Sequence, residues 1–197
     1  MQIEFWFDFA SSYSYPAAMR LQALSEHHHI DVRWRPFLLG AIFNHQGMHD
    51  SPFNINAVKG EYMWKDLARV CQDLCLPFAK PDVFPRNGLL PARVACCYAN
   101  EPWLPAFVRA VFAANFEHNE DISSPHIIEQ CLSRCGVNKP DILTAASSAE
   151  SKHRLRQQTD EALQRGVFGA PSFFVGEELF WGNDRLERAI QWALEPK

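Results

Sequence analysis

Apolar and polar positions along the chain alternate between two periods. Ile3-Glu4-Phe5-Trp6-Phe7-Asp8-Phe9 is a short aromatic run, alternating at its start, and it predicts a largely buried strand. A polar turn follows, and Tyr15 to Glu26 reads as a helix with Pro16 tolerated in its first turn and Ala18, Leu21 and Leu24 facing inward. Ile30 to Pro36 alternates again, Val32 and Trp34 on one face and Arg33 and Arg35 on the other. A strand, helix, strand opening of this kind predicts a parallel pair.

From about Pro52 to Ala146 the strand-like alternation disappears and helical stripes replace it. Met63, Leu67, Val70, Cys71 and Leu74 form one, and Leu104, Phe107, Val108, Val111 and Phe112 another. A polar amphipathic helix from His153 to Gly166 leads into Val167-Phe168-Gly169-Ala170-Pro171. Ser172 to Val175 and Leu179 to Trp181, joined at Gly176-Glu177-Glu178, predict a hairpin. A last helix runs from Asp184, with Leu186, Ala189, Ile190, Ala193 and Leu194 at helical spacing and Asp184 and Glu187 resembling a capping box. This order predicts an α/β chain: a thioredoxin-like domain, residues 1–50 and 150–197, with an all-helical domain, residues 51–149, inserted in its middle.

Composition narrows the function. The 197 residues are 47% hydrophobic and 21% charged, as in one globular unit. Nineteen Lys and Arg against 23 Asp and Glu leave a formal charge of -4, which argues against nucleic acid or an anionic membrane as partner and for small molecules or a second copy. The start of the chain lacks the basic and apolar regions of a secretory signal, and no apolar run reaches membrane-spanning length, so the expected address is the cytoplasm. The six cysteines are expected as small buried hydrophobes, Cys71 with Cys75 and Cys131 with Cys135 on helical stripes. No metal site is expected: Cys96 and Cys97 point apart on a helix, and the adjacent His27, His28 and His29 cannot converge on one ion.

The chemistry concentrates after the first strand. Ser11-Ser12-Tyr13-Ser14 occupies the place where a thioredoxin-like redox enzyme carries two cysteines, and with serine at both ends no thiol is available for exchange. The helix N-terminus still favours negative charge, and a serine hydroxyl can donate to a thiolate brought from outside. Ser11 therefore has two readings, a helix cap or a hydroxyl that polarises a bound thiol such as that of glutathione. Ala170-Pro171 opens a later strand where thioredoxin-like folds place a cis proline whose preceding residue pairs with an extended peptide. Trp181-Gly182-Asn183-Asp184 precedes the last helix, where Asn183 and Asp184 serve either as caps or as partners for the charged γ-glutamyl end of glutathione.

These residues, with Phe37-Leu38-Leu39-Gly40 and Lys59-Gly60-x-Tyr62-Met63-x-x-Asp66-Leu67, give the chain a resemblance over nearly its whole length. It resembles the 2-hydroxychromene-2-carboxylate isomerases, relatives of the kappa-class glutathione transferases on a thioredoxin-like fold of DsbA type. The resemblance implies a homodimer with glutathione as cofactor, a small aromatic substrate and a role in aromatic catabolism. It implies Ser11 as the catalytic residue, and Ala170, Pro171, Trp181, Gly182, Asn183 and Asp184 as cofactor contacts. Lys59, Asn87 and Asn44 are the implied substrate positions; Lys59 also reads as a solvated charge and Asn87 as a helix cap.

Two positions depart from the family pattern: Ser12 stands where proline is common, and Asn44 where lysine is frequent. The isomerase reading is a thiolate adding reversibly to a conjugated double bond, which permits rotation and interconverts a chromene carboxylate with a trans-benzylidenepyruvate. Two alternatives are a kappa-like transferase that conjugates electrophiles and a non-catalytic thioredoxin-like binding module.

Overall fold

The computed structural model of the protein describes residues 1–139 and 141–195. It opens with strand β1 (Gln2–Phe7), helix α1 (Ser14–His28) and strand β2 (Asp31–Pro36), and β1 and β2 pair in parallel from Gln2↔Asp31 to Phe7↔Pro36. Helices α2 (Leu39–His45), α3 (Pro52–Ile55), α4 (Ala57–Asp73), α5 (Leu89–Cys97), α6 (Leu104–Phe116), α7 (Pro125–Arg134), α8 (Asp141–Ala146) and α9 (Ala149–Gln164) follow. Strands β3 (Ser172–Val175) and β4 (Glu178–Trp181) form the hairpin, and a 3-10 turn at Asn183–Arg185 leads into α10 (Leu186–Leu194). The sheet order is β2-β1-β3-β4, with β3 antiparallel to both β1 and β4.

The aromatic run in β1 makes it an inner strand buried on both faces. Side chains alternate across a sheet, so Ile3, Phe5 and Phe7 enter one apolar cluster with Ala18 and Leu21 of α1 and Phe112 of α6. Trp6 points the other way, into a smaller cluster with Phe37, Ile42, Ala162, Val167 and Phe174. Each aromatic taken fully from water contributes about 1.5–3 kcal/mol, so a strand carrying three of them in a row is held in place by its own sequence. Phe5 lies between Phe7 and Phe173 with ring centroids 4.9 and 5.3 Å away.

Two local expectations change, and one helix is added. The capping box does not form: Asp184 pairs with Arg185 at 2.8 Å, Glu187 pairs with Arg20 of α1, and α10 begins without a side-chain cap. Cys75 is exposed, because α4 ends at Asp73 and Cys75 follows in a left-handed conformation, φ 53°. Cys71 and Cys131 are buried as expected, whereas Cys96, Cys97 and Cys135 are half-buried. Finally, α2 is a seven-residue helix that hydrophobic periodicity does not reveal, since two turns are too short to establish a period.

Candidate active site

The end of β1 and the start of β3 create the site. Trp6 pairs with Ser172, so the residues just beyond β1 and just before β3 are neighbours although far apart in sequence. After β1 the chain turns on Asp8, whose carbonyl accepts from the Ser11 N–H at 2.9 Å. The Asp8 carboxylate accepts from the N–H of Ala10 at 2.8 Å and of Leu39 at 2.7 Å, tying the turn to the first residue of α2. Burial pushes the Asp8 carboxyl above its ordinary range, against the lowering influence of these two backbone donors.

Ser11 does not cap α1. The residue before that helix is Tyr13 and no side chain caps it; instead the Ser11 hydroxyl donates to the Ala170 carbonyl at 3.0 Å. The Ala170-Pro171 peptide bond is cis. Ser14 begins α1, fully buried, and its hydroxyl has no hydrogen-bond partner among the described residues.

Ser11 and Ala170 line a cavity of about 1060 Å³, at the upper end of the size range for ligand sites. Lys59, Asn87, Asn44 and Trp181 line it too, so the cavity gathers residues from α4, the loop before α5, α2 and β4. Asn87 turns its side-chain oxygen to the Leu89 N–H at 2.9 Å, holding the first residue of α5. The Lys59 ammonium lies 5.6 Å from the centre of the Phe53 ring, which also lines the cavity.

The remaining expected residues lie beside the cavity rather than on its wall. Pro171 is buried, and its carbonyl accepts from the Gly182 N–H at 2.9 Å. Asn183 is buried against α1, where its side-chain oxygen accepts from Arg20 at 2.9 Å. Asp184 is exposed and close enough to Tyr13 to raise the pKa of that phenol.

Several site residues escaped the sequence reading. Tyr13 lines the cavity and donates to Asp66 of α4 at 2.6 Å; burial, then this bond, pushes its phenol well above the ordinary tyrosine value. A signal was present, because Lys59, Tyr62, Met63 and Asp66 share the i, i+3, i+4, i+7 face of one helix. Phe168 packs against Trp181 with centroids 4.9 Å apart and ring planes inclined by 59°, and both are exposed large apolar residues at the cavity. Buried Arg86 donates to the Asn115 carbonyl at 3.3 Å, and Asn115 donates to the Phe9 carbonyl at 3.0 Å, which fixes the loop carrying Asn87 beside the Ser11 turn. Gly88 permits that approach, since a Cβ there would lie 3.0 Å from the Phe9 Cβ.

The arrangement can hold an anion or polarised atom near the Ser11 hydroxyl and an apolar body against the aromatic wall. Among the described residues no group of three or more His, Cys, Asp or Glu side chains is placed to hold a metal ion, and no helix is long and apolar enough to cross a membrane.

Comparison with known proteins places this geometry in context. Residues 2–191 match the model of the DSBA-like thioredoxin domain. A 2-hydroxychromene-2-carboxylate isomerase of Pseudomonas putida is 32% identical over 192 residues, 94% of this chain and 91% of that protein. Glutathione s-transferase kappa 2 of Caenorhabditis elegans is 26% identical over 211 residues, covering 98% and 92%. The solved structure of a selenomethionine 2-hydroxychromene-2-carboxylate isomerase superposes with a TM-score of 0.89 at 27% identity, covering 98% of this chain and 94% of that one.

Proposed function

The chain belongs to the DSBA-like thioredoxin domain family, in the group that holds 2-hydroxychromene-2-carboxylate isomerases and kappa-class glutathione transferases, and on that premise we propose that it is a glutathione-dependent isomerase. Its substrates are of the 2-hydroxychromene-2-carboxylate and trans-o-hydroxybenzylidenepyruvate type. The observation that carries this reading is the Ser11 hydroxyl, unused as a helix cap and hydrogen-bonded to the Ala170 carbonyl inside the cavity.

The residues present fit glutathione. Ser11 has one proton to donate, and its hydroxyl donates to the Ala170 carbonyl. The Ala170 carbonyl can accept from a peptide N–H as well, and rotation of the Ser11 hydroxyl turns its proton to a sulfur held beside it, so the same pair of residues serves binding and thiol polarisation. Charge near the α1 N-terminus acts in the same direction. When bound, glutathione supplies a thiol whose anion adds reversibly to a conjugated double bond and so allows rotation about it.

Asp184, exposed near Tyr13, is the proposed partner of the γ-glutamyl ammonium, with Trp181 and Gly182 beside it. Asn183, held by Arg20, positions that segment. Lys59, Asn87 and Asn44 are the proposed substrate contacts, Lys59 supplying positive charge for a substrate carboxylate. Residues 1–50 and 150–197 are the proposed glutathione-binding unit, and 51–149 the helical insertion that supplies the other cavity wall. A homodimer and a cytoplasmic site of action complete the proposal; the six free thiols accord with a reducing compartment.

Ser11→Ala tests the reading. Glutathione-dependent isomerisation is expected to fall by a hundredfold or more while circular dichroism and melting stay near wild type; full retained activity overturns the assignment. The kappa-class relative favours a second reading, conjugation of an electrophile at the same site. Product analysis separates them, because isomerisation returns glutathione and conjugation consumes it. Calorimetry that detects no glutathione binding would favour the non-catalytic module.

A further inference from the structure

Behind α2 lies a second cavity, of about 290 Å³, lined by Leu38, Ala41, Leu89 and Leu155 and by Arg93, Lys152 and Arg156, with Thr159 and Asp160. Three cations face one carboxylate there, although the chain as a whole carries -4. Among the described residues none of the three cations makes an ion pair. Arg93 goes further: its Nε is buried and has no hydrogen-bond partner among the described residues. The rest of the Arg93 side chain is half-buried and lines the cavity, so its charge favours an anion there.

The walls decide which anion. Leu38, Ala41, Leu89 and Leu155 offer apolar surface that inorganic phosphate cannot use and that a hydrocarbon ring can. The planar guanidinium of arginine matches a carboxylate in two-pronged geometry. The volume lies at the lower edge of ligand pockets, enough for a single-ring compound. Thr159 does not compete for the ligand, because its hydroxyl already donates to the Leu155 carbonyl and accepts from the Leu38 N–H.

We propose that this cavity binds a small aromatic carboxylate, its ring against Leu38, Ala41, Leu89 and Leu155 and its carboxylate on Arg93, with Lys152 and Arg156 adding positive charge. The site is separate from the Ser11 cavity but shares a wall with it, since Leu38, Ala41 and Leu89 line both. The inference does not depend on the isomerase reading and is testable without activity.

Titration of the full chain with benzoate, followed by calorimetry and by chemical-shift changes, is the experiment. Saturable binding is expected, weakening as salt rises and stronger than that of inorganic phosphate. Arg93→Gln should weaken it tenfold or more and Arg156→Gln about threefold. Arg154→Gln, on the same helix but paired with Glu150 and absent from the cavity wall, should leave it unchanged. If Arg93→Gln fails to fold, Arg156→Gln with Lys152→Gln carries the test, both residues being exposed. No binding, or binding equal to wild type in the cavity variants, overturns the proposal; the second result would assign benzoate to the Ser11 cavity.

Discussion

Gly60 lies buried in α4, and a Cβ built there would sit 2.2 Å from the Phe53 carbonyl oxygen and 3.2 Å from its carbon. Two effects of Gly60→Ala oppose each other. Alanine in a helix interior is favoured over glycine by about 1 kcal/mol, whereas forcing an extra carbon into a packed contact costs about 1–3 kcal/mol. The obstacle is a backbone atom, which no change of rotamer moves, so α3 must retreat from α4 by about 1 Å to restore ordinary contact. That retreat strains the anchors of α3, the Ser51 side chain on the Phe53 N–H at 3.3 Å and Asn54 on the Phe84 carbonyl at 3.1 Å.

A clash with immovable backbone belongs in the upper part of that range, about 2–3 kcal/mol, so the steric effect should win, with a net loss of about 1–2 kcal/mol and a fall in melting temperature of roughly 2–8 °C. Gly40→Ala is the control. Gly40 is exposed in α2 and a Cβ there meets nothing within 4 Å, so it should gain up to about 1 kcal/mol from propensity alone. Thermal and urea melts of the two variants compare the same chemical change with opposite expected signs. Because Phe53 lines the cavity next to Lys59, Gly60→Ala should also weaken ligand binding there. A stabilised Gly60→Ala protein would refute the reasoning, since the α3–α4 approach would then not be as close as described.

Gly169→Ala should behave differently: its Cβ would lie 2.4 Å from the Trp181 Nε1, an exposed side chain free to swing, so melting should change little while glutathione affinity falls; unchanged affinity counts against Trp181 as a wall of the site. For Asp8, whose native pKa is raised by burial above 3.8, the folded state binds the extra proton, so this group's contribution to stability is full below 3.8 and declines as pH rises through the native pKa. The stability advantage of wild type over Asp8→Asn should therefore shrink with rising pH across that window, and an advantage that grows would mean the Ala10 and Leu39 donors dominate. Thiol titration at neutral pH should find exposed Cys75 fast, and Cys71 and Cys131, with thiols pushed up to about 11 by burial, reactive only after unfolding. Labelling of Cys71 or Cys131 in the folded protein as fast as that of Cys75 would contradict this.

The periodic part of the fold was legible in the chain. The aromatic alternation of β1, the Leu104 to Phe112 stripe of α6 and the β3–β4 hairpin are consequences of which side chains must leave water, and that pattern is written in consecutive residues. The Ser11 turn and the Ala170-Pro171 turn were legible as candidate chemistry because a strand end and a helix start frame the first and a strand start the second. What consecutive residues cannot express is a meeting between distant ones.

Whether Ser11 caps its helix or faces a ligand was undecidable from its neighbours, since serine suits both. The antiparallel pairing of β3 with β1 removed the first reading, bringing the Ala170 carbonyl within 3.0 Å of the Ser11 hydroxyl while no side chain caps α1. The capping box before α10 failed for the same kind of reason: Arg20 of α1, 167 residues from Glu187 in sequence, holds both Glu187 and the Asn183 side chain. Local composition determined the elements and the candidate residues of this protein. The partners of its polar groups were decided only by tertiary structure, because a hydrogen bond or ion pair depends on where the chain returns, whereas hydrophobic burial depends mainly on what each residue is.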